Sequence, residues 1–200
     1  MRRFIPLIVG GLLAVAACSS SPQSEQNGTP SSALPSVTVM APVSPAPAQP
    51  ASNRQPVRFD PCARIDDAVP TALGFVATTR ERSDYVFDDY AFIGCDFTRS
   101  ETVRGQQLQV GHLTISSTNV TLEEMRARDY EDARPTTVNG KEALFHRTRA
   151  AESCYIAMPG PDATIEVRVS SAIAFTDWVA CDHIDEAART VEAALPKEGK

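Results

Sequence analysis

The chain has 200 residues, 25 of them acidic and 19 basic, for a formal net charge of −6. That length suits one domain of ordinary size. The acidic balance, with no clustered basic stripe, excludes nucleic acid and disfavours anionic lipid headgroups as partners.

Arg2 and Arg3 form a positive leader, and Phe4 to Ala17 supply an apolar run ending in small residues, the layout of a secretory signal. The run falls short of the roughly 20 apolar residues a membrane-spanning helix needs, and it gives way to Ser19, Ser20 and Ser21. Val15-Ala16-Ala17-Cys18 resembles the lipobox of bacterial lipoproteins, which implies that residues 1–17 are a signal peptide and that Cys18 becomes a lipidated N-terminus. Two or more acyl chains there would hold the protein on the extracytoplasmic face of the cell membrane. Losing Arg2 and Arg3 takes the 19 basic residues to 17 against 25 acidic ones, a mature net charge of −8.

Residues 18–56 read as a tether. Positions 19–56 carry eight prolines and only two charges, Glu25 and Arg54. Such composition buries too little apolar surface to offset chain entropy and predicts disorder. A proline-rich spacer of this length reaches about 120 Å at most.

Residues 57–200 read as a single domain. Asp60-Pro61 is an N-cap followed by proline at the first helical position, so a short helical region opens at Cys62, is interrupted near Pro70 and closes at Gly74. Residues 79–90 are polar and acidic and read as a loop. Ala91 to Thr98 follow as a strand with Ile93, Cys95 and Phe97 on one face. Gln107 to Ser116 form a second strand whose alternation slips around Gly111-His112, the mark of a bulge. Thr121-Leu122-Glu123-Glu124 is a capping box and predicts a helix to about Asp132.

Asn139-Gly140 signals a hairpin between 136–138 and 142–147. Ser153 to Met158 and Thr164 to Ser170 are further strands, the latter with Ile165, Val167 and Val169 inward and Thr164, Glu166 and Arg168 outward. Cys181, Ile184, Ala188, Val191 and Leu195 draw one apolar stripe along a final helix. The predicted class is α+β: an antiparallel sheet flanked by an N-terminal and a C-terminal helix and held by two disulfides.

With Cys18 assigned to lipid, Cys62, Cys95, Cys154 and Cys181 remain, an even count that implies disulfides in an exported domain. Three connectivities are open. Pattern favours Cys62–Cys95, tying the first helix to a strand, and Cys154–Cys181, tying a strand to the last helix. None of the four has a partner at zinc or redox spacing.

No motif for catalysis, a metal or a cofactor is present. His112, His146 and His183 are scattered and read as ordinary histidines. The pairs Asp66-Asp67 and Glu123-Glu124 read as helix-surface and helix-start acids. In the loop before the first strand, Tyr85, Phe87 and Tyr90 interleave with Asp88 and Asp89, which makes this loop the candidate binding surface. The alternative is that Phe87 and Tyr90 fold inward as a satellite core. Trp178 is expected to pack against the last helix.

Phe59-Asp60-Pro61-Cys62, Gly74, Gly94-Cys95 and Cys181 leading into an alanine-rich helix ending Leu195-Pro196 together resemble the actinobacterial lipoproteins of the domain-of-unknown-function-3558 family. That resemblance implies an exported, membrane-anchored domain with paired cysteines and carries no activity. The expected function is a binding or accessory module that meets a small ligand or an envelope protein. The alternative is a hydrolase of envelope polymers. Cys18→Ala is expected to move the protein from the membrane fraction to the soluble fraction, and attachment that survives the substitution contradicts the lipid anchor.

Overall fold

A computed structural model describes residues 37–172 and 176–197. Cys18 and residues 1–17, expected as a signal peptide, lie outside the described residues.

Helix α1 (Pro61–Arg64) starts where expected, with the Asp60 carboxylate accepting from the Cys62 N–H. Helix α2 (Ala68–Ala72) follows, and Gly74 turns the chain at φ 76°. Strand β1 (Val76–Arg82) and the short β2 (Tyr85–Val86) occupy the segment expected as a loop. The strand escapes periodicity for a physical reason: it is an edge strand with a register break between Val76 and Glu81. One of its inward positions is moreover filled by an arginine. Arg80 is buried and donates to the carbonyls of Cys62 and Ile65, each at 2.8 Å, and to Asp67 at 2.6 Å. Asp67 is therefore a buried partner of Arg80 rather than a surface acid.

Strands β3 (Ala91–Val103) and β4 (Gln106–Thr118) form a long hairpin. Its bulge is at Val110, one residue before the expected slip, because Arg99 pairs with Gly111 and Ser100 with Gln109. Helix α3 (Leu122–Arg126) carries the predicted capping box but ends at Arg126. The chain leaves the helix there so that Tyr130 can stack on the His146 ring at 4.1 Å. Strands β5 (Arg134–Val138) and β6 (Lys141–Thr148) turn at Asn139-Gly140, both at positive φ. Strands β7 (Ser153–Pro159) and β8 (Thr164–Ser171) complete the sheet, and α4 (Ala180–Ala194) closes the described fold.

The strands form one antiparallel sheet in the order β1-β3-β4-β8-β7-β6-β5, with β2 pairing β3. Pairing of β4 with β8 joins the N-terminal and C-terminal meanders. Phe97, Leu113, Ile115, Ile156, Val167 and Val169 share one face, where Ile65, Val69, Ile184, Ala188 and Val191 of the helical segments complete the main core. The disulfides are Cys62–Cys95 and Cys154–Cys181, with Cα separations of 4.9 and 5.2 Å.

Residues 37–56, expected as part of the tether, run along the domain. Five of these twenty residues are proline, and side-chain hydrogen bonds tie several of the others to the domain. Thr38 and Met40 donate to Asp66 and Asp67, and the Gln49 amide pairs with both backbone groups of Val57. Arg54 forks onto Glu124 at 2.9 and 2.5 Å, and this partner, with the Thr121 backbone and hydroxyl, holds the Glu124 carboxyl down at about 2.

Removing either disulfide by a double Cys→Ser substitution is expected to cost about 2–4 kcal/mol, because each closes a loop of 27 or 33 residues in the unfolded chain. Urea unfolding reads this directly. An unchanged midpoint in both double variants contradicts the structural role.

Candidate functional site

The helices α1, α2 and α4 leave the opposite face of the sheet to other residues. Strand alternation puts one cross-strand row of polar side chains there: Asp96 on β3, Thr114 on β4, Arg168 on β8, Tyr155 on β7 and His146 on β6, each directly opposite the next. The neighbouring row runs Gly94, Ser116, Glu166, Ala157, Leu144.

Three members of the first row are wired together. Arg168 donates from Nη2 and Nε to the Thr114 hydroxyl at 2.9 and 3.2 Å. Thr114 donates in turn to Asp96 Oδ1 at 2.7 Å, and His112 Nδ1 lies 2.8 Å from Asp96 Oδ2. At the far end His146, buried, is sandwiched between the rings of Tyr130 and Tyr155 at 4.1 and 4.5 Å. Its Nε2 faces Glu166 at 3.4 Å.

One wall of the site is aromatic. Phe87 stacks on Tyr90 at 4.6 Å, Tyr90 meets Phe92 edge-on at 6.2 Å, and the Arg128 guanidinium sits 5.5 Å from the Tyr90 ring centre. A small cluster of Val120, Met125, Leu144 and Ala157 supports Tyr90, Phe92 and Tyr130 from behind. The wall reaches the sheet because position 94 is glycine. A Cβ there would stand 2.2 Å from the Ser83 carbonyl and 2.8 Å from the Ser116 hydroxyl, so only glycine lets the β1–β2 connection cross so closely. Ser83 N–H bonds to the Gly94 carbonyl, and Asp84 accepts from the Gly94 N–H.

Floor and wall enclose a cleft of about 350 Å³, lined among others by Tyr85, Phe87, Tyr90, Ser116, Tyr155 and Arg168. Three larger hollows, of about 420, 550 and 750 Å³, border the edges of the described segments at Thr176 and Lys197. None has a comparable wired row of buried polar side chains beneath an aromatic wall.

Of the residues singled out in the sequence, Tyr85, Phe87 and Tyr90 come together on this cleft, while Asp88 and Asp89 sit exposed at the turn, outside its lining. The aromatic readings divide: Phe87 stays 46% exposed, whereas Tyr90 packs on the small cluster. Trp178 packs against His183 of α4 and against Phe75. Sequence reasoning missed Asp96, Thr114, Ser116, Arg128, Tyr155 and the inward-facing role of Glu166 and Arg168. Their signal was polar residues alternating with Cys95, Phe97, Leu113 and Ile115 in strands too apolar to be solvent-facing on one side. Among the described residues no group of three or more His, Cys, Asp or Glu side chains is placed to hold a metal ion.

The family model described as "Protein of unknown function (DUF3558)" matches residues 13–194. The chain belongs to the DUF3558 family. No curated protein and no solved structure matches it. Membership in DUF3558 assigns no activity to the cleft.

The Asp96 hydrogen bond raises the His112 pKa above its ordinary 6.5, against the opposing effect of burial. A raised folded value means the imidazolium–carboxylate pair stabilises fully below about pH 6.5 and that this contribution is lost as pH rises through the folded pKa. An NMR titration is expected to place the His112 midpoint above 6.5 and to bring it down in Asp96→Asn. A midpoint that ignores Asp96→Asn contradicts the pairing.

Proposed function

We propose that this DUF3558 protein is an exported lipoprotein, anchored through Cys18 at the extracytoplasmic face of the membrane. Its domain acts there as an accessory module that binds a small ligand in the cleft on the open sheet face. The observation that carries the binding reading is the convergence of the hydrogen-bonded row Asp96–Thr114–Arg168, with Tyr155 beside it, and an aromatic wall over one concavity. Small-molecule sites combine these features: apolar and aromatic walls with a few fixed polar groups, in volumes of about 300–1,000 Å³. The anchor reading is supported by the lipobox-like Val15-Ala16-Ala17-Cys18 and by the fifth cysteine left over once four pair in two disulfides. No helix among the described residues is long and apolar enough to cross a membrane.

Binding is favoured over hydrolysis of envelope polymers by the carboxylates. A two-carboxylate glycosidase needs both groups facing the scissile bond. Here, among the described residues, Glu166 is the one acid that lines the cleft, and Asp96 lies beneath it, held by Thr114 and His112.

Thermal denaturation against a library of small polar compounds tests the reading. A ligand at a hundred times its Kd is expected to add about 2.7 kcal/mol of stability to the native chain. That gain should vanish in the Tyr85→Ala, Phe87→Ala double variant, whose two side chains are 56% and 46% exposed and contribute little to the fold. If no compound stabilises the protein in a way that depends on these residues, the cleft is not its binding site.

A further inference from the structure

Resting on the reading of the cleft as a small-ligand site, we infer that its ligand is an uncharged saccharide of one or two rings. A C–H face of the sugar lies on the exposed ring of Phe87, beside Tyr85, and its hydroxyls meet the sheet floor.

Charge matching inside the cleft argues first for neutrality. Asp96, with a side chain 8% exposed, is met by His112 and Thr114, with the Arg168 guanidinium 3.9 Å away. Two nitrogens of Arg168 already end on Thr114, and Glu166 faces His146. On the floor beside Asp96, a ligand group carrying a full charge would have to displace one of these partners and leave a largely buried charge unmatched, which is strongly unfavourable; Arg128, at the exposed rim, stands over the Tyr90 ring. A neutral ligand leaves the network as it is.

The remaining hydrogen-bonding capacity is mixed in sign. The hydroxyls of Ser83, Ser116 and Tyr155 can donate or accept, Glu166 accepts, and Arg128 donates. All five residues line the cleft. Vicinal sugar hydroxyls also donate and accept, so they suit such a floor better than a carboxylate or an ammonium, each of which offers one sense only.

The wall supplies the third requirement. Phe87 and Tyr90 stack at 4.6 Å with their planes 29° apart, and Tyr85 and Phe87 both keep about half of their surface exposed. The exposed ring surfaces of Tyr85 and Phe87 stand beside a polar floor. A wholly apolar ligand would strand the floor groups, and a wholly polar one would leave the rings in water. A pyranose has both surfaces. At about 350 Å³ the cleft is at the small end of ligand sites, which limits the bound unit to a mono- or disaccharide or the end of a longer glycan.

Saturation-transfer NMR on the full chain tests this with glucose, mannose, N-acetylglucosamine and maltose as neutral probes, and D-alanyl-D-alanine and inorganic phosphate as charged ones. At least one neutral probe is expected to receive saturation, with a Kd insensitive to salt. Phe87→Leu keeps an apolar side chain and removes the ring, and is expected to weaken that probe about tenfold, while Phe87→Tyr retains it. If no neutral probe binds, or binding is indifferent to Phe87→Leu, the saccharide inference is overturned. Binding of phosphate or the dipeptide instead, lost in the same variant, also overturns it yet leaves the cleft standing as a ligand site. Failure of the cleft itself is read separately, from the thermal screen.

Discussion

Cys95 and Cys154 project from the same face of the sheet, and the rest of the architecture follows from that shared direction. One disulfide draws α1 onto this face and the other draws α4, so the helical cover and the main core accumulate on one side. The strands that carry these cysteines alternate, so their other residues must point away. On β3, β4, β8 and β7 those residues are Asp96, Thr114, Ser116, Glu166, Arg168 and Tyr155, with only the short α3 and the aromatic connection between β2 and β3 to roof them. A half-roofed polar face is a cleft.

The roof is set in place by contacts that reach back to the covered side. Gly94 admits the Ser83 backbone, Asp84 closes over the Gly94 N–H, and Arg82 links Asp84 to Asp60 at the start of α1. Arg80, two residues earlier, is plugged into the carbonyls of α1 and into Asp67, and Asp67 receives the Met40 N–H. The segment 37–56, the helical start, the edge strand and the cleft wall thus form one connected set. Breaking the buried Arg80–Asp67 pair would leave an uncompensated charge at a cost of about 3–5 kcal/mol. The consequences would extend to the aromatic wall.

The sequence made the covered side of this protein readable and left the cleft hidden, for reasons that can be named residue by residue. Ile165, Val167 and Val169 announce a strand by alternation, and the same alternation marks Glu166 and Arg168 as outward. Nothing local shows that outward means towards Thr114 and Tyr155, since those neighbours come from β4 and β7 and depend on register. Cysteine parity and the apolar stripe of α4 were enough to favour the two disulfides that the structure contains. Edge strand β1 was illegible because Arg80 stands where an apolar residue would have signalled burial. The prolines of 37–56 masked a segment that side-chain bonds, rather than a ladder, tie down: Asp66 and Asp67 accept from Thr38 and Met40, and the Gln49 amide pairs with Val57. Tyr85, Phe87 and Tyr90 could be found by composition alone, because aromatics among acids on a short connection are unusual enough to need an explanation.

Residue-resolved amide shifts on adding the pooled neutral saccharides, the dipeptide and phosphate test most directly whether the open face is where this domain binds. The account predicts that the perturbed amides cluster at 83–94, 114–116, 155 and 166–168, with α4 and the end of the chain unmoved. Perturbations confined to α4 and the hollow beside Lys197, or none at all, would contradict it.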